Sequence, residues 1–134
     1  MIKLDNIETH LHFGGVISVQ FVWDTILRQG LSFLADSIDD VRSSMTFADD
    51  EQYDFNKFLH KFMILNEIKW DRETIDLSVK DVCDTLESHN IDYAWVDITI
   101  NKYMDIGWHK FEAIEFIYNA FQKYRPGKVG LILA

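Results

Sequence analysis

His10 and His12, in the segment Glu8-Thr9-His10-Leu11-His12, are the residues of this chain best suited to chemistry. The segment alternates in the manner of a β-strand: Ile7, Thr9, Leu11 and Phe13 would line one face, and Glu8, His10 and His12 the other. Two imidazoles on one face stand about 6–7 Å apart along a strand. Both rings can then bond a single divalent ion at about 2.0–2.1 Å. A His-x-His pair alone is a weak signal. Its position, at the end of a strand and before Gly14-Gly15 and a helical pattern, strengthens it.

Other titratable residues could serve the same chemistry. Asp97 shares a predicted strand face with Tyr93 and Trp95 and should point inward, where a bare carboxylate is costly unless paired or metal-bound. Glu8 would point the same way, so a hydrogen-bonded Glu8–Asp97 pair and a weak His10, His12, Asp97 metal site are both open at this point. His89 precedes the second strand and suits a helix C-terminus. His60 flanks a Phe-rich helix stripe, and His109 fits a helix start better than a metal. Cys83, the only cysteine, falls on an apolar helix stripe.

The elements that must position these residues follow from periodicity. The first strand covers Ile7 to Phe13, and Gly14-Gly15 would turn tightly with positive φ. Ser18 is an N-cap for a helix carrying Val19, Val22, Trp23, Ile26 and Leu27, which Gly30 ends. A short helix is expected over Ile38 to Met45. A long one is expected from Asp54 to about Trp70, with the stripe Phe55, Phe58, Leu59, Phe62 and Met63. Asp71 would cap a helix over Arg72 to Ser88. A second strand spans Ile91 to Ile100, with Ala94, Val96, Ile98 and Ile100 on one face and Tyr93, Trp95, Asp97 and Thr99 on the other. The last helix, Trp108 to Tyr124, would bury Phe111, Ile114, Ile117, Tyr118 and Phe121, and a third strand runs over Lys128 to Ala134. Strands separated by helices imply an α/β fold with parallel pairing and right-handed crossovers. Three strands are few for such a sheet, and the chain ends within an apolar strand, which reads as an interruption.

Composition narrows the function classes. The 134 residues make one domain at most, and 48% hydrophobic residues with ten Phe, five Tyr and four Trp exclude disorder. A net charge of −9 argues against nucleic acid and against an anionic membrane surface. Asp36, Asp39, Asp40, Asp49, Asp50, Glu51 and Asp54 face Arg42 alone, and that run reads as a solvated loop, without the spacing of a calcium loop. A single cysteine, no opening signal-peptide pattern and no membrane-length apolar run fit a cytoplasmic protein. No Gly-rich phosphate loop is present, and a zinc-binding His-x-Glu with Pro-Cys-x-x-Cys pattern is absent.

Ile7-Glu8-Thr9-His10-Leu11-His12-Phe13-Gly14-Gly15-Val16-Ile17 resembles the first barrel strand of the adenosine deaminase family, Glu-x-His-x-His-x-Asp-Gly-x-(Ile/Leu). Phe58-Leu59-His60-Lys61-Phe62 is similar to that family's Phe-Leu-x-x-Phe helix, Asn90 to Asp97 to its second strand, and Val129 to Leu133 to its third. The resemblance covers essentially all of residues 1–134 and implies the N-terminal portion of a TIM (β/α)8 barrel, about three parallel strands with intervening helices. It further implies a zinc-dependent purine nucleoside deaminase, in which a metal-bound hydroxide attacks the purine ring. His10 and His12 would be metal ligands. Gly14, Phe55, Phe58, Leu59 and Phe62 would contact the substrate, the last four as an apolar wall or lid.

The departures are specific. The family's ribose-contacting Asp is Gly14 here, which points away from adenosine itself. The second-strand Glu and Arg are Trp95 and Asp97. The family's remaining metal ligands and its proton-shuttling Glu lie on later strands, so activity is expected of the complete barrel and not of this chain alone. The competing expectations are a different His-x-His metal hydrolase, and a non-catalytic module that associates with itself or with a second chain through open strand edges.

Overall fold

The computed structural model describes residues 5–104 and 107–134, with Tyr103 and Met104 described as backbone only. The elements in chain order are β1 (Ile7–His12), α1 (Phe13–Val16), α2 (Val19–Gln29), α3 (Ile38–Met45), α4 (Phe55–His60), α5 (Met63–Glu67), α6 (Arg72–Ser88), β2 (Tyr93–Ile98), α7 (Asn101–Met104), α8 (Lys110–Tyr124) and β3 (Val129–Leu133). They form two compact units, Met1–Ile17 with Trp70–Ala134, and Ser18–Lys69.

The first unit is built on a three-stranded sheet of order β1-β2-β3 with both pairs parallel. β2 is central, and its alternation sorts the two faces. Ala94, Val96 and Ile98 are buried, whereas Tyr93 and Trp95 are exposed on the other side. Helices cover the apolar face: α1 packs on β1, β2 and α6, α6 on α8, and α8 on β3. Phe13 meets Phe121 edge to face at 6.2 Å between ring centroids. Ile75, Val79, Val82, Leu86 and Ile117 complete this core. Each such large side chain, fully buried, contributes roughly 1.5–3 kcal/mol.

Local capping sets where α6 and α8 begin and end. Asp71 accepts from the Thr74 N–H at 2.9 Å, as the sequence predicts, and His109 accepts from the Phe111 N–H at 3.4 Å. His89 closes α6 by donating from Nδ1 to the Thr85 carbonyl at 2.9 Å. Asn90 then takes a left-handed turn, φ 56°. The Asn6 carbonyl accepts from the Asp92 and Tyr93 N–H groups, and the Asn6 side chain donates to the Asn90 carbonyl at 2.8 Å. These bonds tie the entry of β1 to the entry of β2.

The second unit holds α2 to α5, with α2 packed on α3. Ser18 caps α2 through the Phe21 N–H at 3.1 Å, and Gly30 ends it in the left-handed conformation, φ 69°, both as expected. The long helix expected from Asp54 to Trp70 is instead two short ones, broken at Lys61 and Phe62. The Lys61 ammonium is held there by Glu51 at 3.2 Å, the Ser43 carbonyl at 3.3 Å and the Phe47 ring face at 4.9 Å. The Glu51 carboxyl is held below its usual range by the Ala48 N–H and by Lys61.

Three further expectations are corrected. Gly14 and Gly15 lie inside α1 and take no positive φ, because the chain enters a helical turn directly from β1. Phe111 and Tyr118 are exposed on α8, since its buried stripe is narrower and runs through Ala113, Ile117, Ala120 and Phe121. Leu27 is exposed on α2 while Ile26 is fully buried.

Candidate metal centre

β1 does not alternate evenly. Its register against β2 pairs Ile7 with Tyr93 and Glu8 with Ala94, then shifts, and resumes with Leu11 on Val96 and His12 on Asp97. One extra residue in β1 between Glu8 and Leu11 exchanges the faces of everything before it. Ile7 therefore joins the Tyr93 face and Glu8 the Ala94 side, opposite to the even alternation expected from sequence. The Glu8–Asp97 carboxylate pair is not formed. His12, beyond the shift, is the register partner of Asp97, and His10, within it, reaches the same carboxylate, so both lie on the Asp97 face as expected.

The three side chains converge. His10 Nε2 is 3.2 Å from Asp97 Oδ2, and His12 Nδ1 is 4.0 Å from the same oxygen. The two imidazole rings are tilted at 45° with centroids 5.0 Å apart. One ligand atom from each of His10, His12 and Asp97 can be chosen so that all three lie within 4.8 Å of one another. Exposure divides the roles: the Asp97 side chain is 13% exposed, whereas those of His10 and His12 are 56% and 73% exposed. The carboxylate forms the floor and the rings open to solvent at the C-terminal ends of the strands, where barrel enzymes carry their sites.

The donor set suits a borderline divalent ion. Two imidazole nitrogens with one carboxylate oxygen match zinc and related transition metals, while calcium and magnesium favour all-oxygen shells. Two donors each about 2.0–2.1 Å from one ion can be no more than about 4.2 Å apart. The 3.2 and 4.0 Å separations meet that bound. The donor types thus suit zinc, and both histidine–carboxylate separations are compatible with one ion.

The other predicted site residues fall elsewhere. Gly14 lies in α1, directly after β1. Phe55, Phe58 and Leu59 lie on α4 and are exposed, and Phe62 follows them in the break before α5. Phe55 stacks near Phe58 at 6.5 Å, Phe58 meets Phe62 at 5.2 Å, and Tyr53 lies 6.3 Å from Phe58. They form one aromatic cluster within the Ser18–Lys69 unit. His89 and His109 are not drawn to the His10–His12 pair and serve as helix caps, and His60 ends α4. Cys83 is a core residue, and burial pushes its thiol up to about 12.

Sequence reasoning missed one feature beside the site. Trp95 lies across β3 at Gly130, its partner in register, and a Cβ at Gly130 would overlap the indole. A glycine inside an apolar strand was the available signal.

No protein-family model matches the sequence, and no curated protein matches it. Solved structures do. Adenine deaminase from Arthrobacter aurescens superposes with a TM-score of 0.72 at 14% identity, over 98% of this chain and 39% of that one. An amidohydrolase from Burkhoderia ambifaria with bound zinc gives 0.69 at 16% identity, over 97% and 35%. Arabidopsis ADAL complexed with GMP gives 0.71 at 18% identity, over 97% and 40%. This chain thus spans about two-fifths of the length of these structures. Its three parallel strands and their helices have the fold of part of a deaminase-like, TIM-barrel hydrolase.

Proposed function

We propose that this chain is the N-terminal part of a zinc-dependent hydrolase that removes an amino group from a purine base, nucleoside or nucleotide. The observation that carries this reading is the convergence of His10 and His12 on one sheet face, at the C-terminal ends of the strands, in a fold shared with adenine deaminase. His10 and His12 would hold the ion, as zinc is bound in one of the structural neighbours. When bound, zinc supplies the acidity that makes water a nucleophile near neutral pH.

The chain's own residues would then do the positioning. The β1–β2 pairing fixes both imidazoles on one side, with the nearly buried Asp97 carboxylate 3.2 Å from His10 Nε2. Gly14, which adds no side chain beside the histidines, would leave room for the sugar or base edge. The exposed Phe55, Phe58, Leu59 and Phe62 cluster would offer a flat apolar surface to a purine. A purine is favoured because the neighbouring ADAL structures hold GMP in one case and IMP in another.

The test is ammonia release from a panel of purine bases, nucleosides and nucleotides with zinc present. It is run on the 134-residue chain and on the longest polypeptide its reading frame encodes. Turnover by the longer polypeptide, none by the chain alone, and loss on His10→Ala or His12→Ala are expected. Undiminished turnover after both substitutions would contradict the reading.

One observation favours a second reading, a module that associates with a second chain. β3 is an edge strand, and an open groove of about 520 Å³ beside it is lined by Trp95, Ile114, Tyr118 and Leu133. Sedimentation of the chain at several concentrations separates the two: concentration-dependent dimers without zinc binding would favour the module.

A further inference from the structure

We infer that Asp97 is itself a metal ligand, so that β1 and β2 alone assemble a three-ligand site for a borderline divalent cation within this chain. The inference rests on the reading of His10 and His12 as ligands and adds what completes them. Three observations carry it.

Topology comes first. Asp97 is the register partner of His12 on the adjacent strand, and the shift in β1 returns His10 and His12 to the Asp97 face. Strand neighbours are held at about 4.8 Å by backbone hydrogen bonds, so this juxtaposition does not depend on loop conformation. Second, both imidazoles address one atom. His10 Nε2 at 3.2 Å and His12 Nδ1 at 4.0 Å face the same Oδ2. A structural Asp–His hydrogen bond needs one ring. Two rings on one carboxylate oxygen give donor separations of 3.2 and 4.0 Å, on either side of the edge of about 3.4 Å in an ideal tetrahedron with zinc-length bonds, and the three ligand atoms gather within 4.8 Å. Third, burial is graded. The carboxylate is 13% exposed and the rings are more than half exposed. An ion bound there meets a charged oxygen on the protein side and keeps at least one position open to solvent. Two neutral imidazoles and one carboxylate leave a dication with a net charge of +1 at its first contacts. That pattern suits binding with an exchangeable water.

The test uses the intact 134-residue chain and zinc alone as the probe. Zinc binding is measured by calorimetry in metal-buffered solution, and cobalt substitution by visible absorption, with circular dichroism as the fold control. One zinc per chain is expected. Asp97→Asn is expected to weaken binding at least tenfold with the fold retained, and His10→Ala with His12→Ala to abolish it. A folded wild-type chain that takes up no zinc overturns the inference. Asp97→Asn binding as tightly as wild type also overturns it, while leaving the histidine reading standing. Binding that survives loss of both histidines removes the histidine reading and the inference together. A variant-free measurement guards against misfolding: the side-chain carboxylate carbon-13 resonance of Asp97 must shift on zinc saturation, and an unmoved resonance overturns the assignment.

Discussion

The two faces of β2 obey one alternation and do opposite work. Ala94, Val96 and Ile98 are almost wholly buried beneath helices. Tyr93, Trp95 and Asp97 face away from the helices, with His10 and His12 beside Asp97. The apolar face supplies the burial that keeps the sheet together, and the polar face is freed to hold side chains that contribute little to folding. The strand register joins the two, because a one-residue slip would exchange them.

Substitutions on the two faces should therefore separate stability from metal binding. The largest effect on stability belongs to the helix-covered side. Phe121→Ala removes a fully buried ring that contacts Phe13. It should cost about 3–5 kcal/mol in urea unfolding. His10→Ala on the other face should change unfolding by no more than about 0.5 kcal/mol, as expected of an exposed position. It should nevertheless remove zinc binding. If both substitutions proved equally destabilising, the division between the faces would not hold.

An intermediate effect is expected at Gly130. Adding a Cβ there collides with the Trp95 indole, an overpacking that costs about 1–3 kcal/mol. Trp95 is half exposed and can swing outward, so the lower end of the range is expected. In a Trp95→Ala background, Gly130→Ala should cost much less. Additivity of the two substitutions would mean that the indole does not set the requirement for glycine. A smaller effect belongs to Asp71→Ala, which deletes the cap on the Thr74 N–H and should cost about 1 kcal/mol.

Cys83 sharpens the comparison by reactivity. Burial raises its pKa from 9.0 to about 12, which leaves about a thousandfold less thiolate at pH 8 than an ordinary thiol carries. Alkylation of the folded chain should be correspondingly slow, and fast in urea. The sign of the linkage follows. The folded pKa lies above the unfolded one, so the thiol's contribution to stability is complete below about pH 9 and is lost as pH rises toward 12. Rapid labelling of the native chain at pH 8 would contradict this placement.

Much of the arrangement was legible in the sequence, and what was not has identifiable physics. Period-two alternation placed Val96 and Asp97 on opposite faces of β2, and helical spacing with Ser18, Gly30 and Asp71 located α2 and α6. His10 and His12 were legible as a pair on one face because two residues always separate like faces of a strand. The shift between Glu8 and Leu11 was not legible, since an unpaired strand residue shows itself only against its partner strand. Its consequence is that Ile7 and Glu8 stand on the faces opposite to those that even alternation gives. The Phe55 to Met63 stripe satisfied helical spacing, yet spacing says nothing about what covers it, and Phe55, Phe58, Leu59 and Met63 are exposed. The break at Lys61 arises from contacts to Ser43 and Glu51, which are distant in sequence. Among the described residues no helix is long and apolar enough to cross a membrane.

The central claim is that the imidazoles of His10 and His12 act on one ion from one strand face. Ring nitrogen-15 resonances of the labelled chain, followed during a zinc titration, test it most directly. Both rings should shift together and saturate at one equivalent, while His60, His89 and His109 stay in place. Rings that respond separately, or a response at His60, His89 or His109 with none at the pair, would contradict the account.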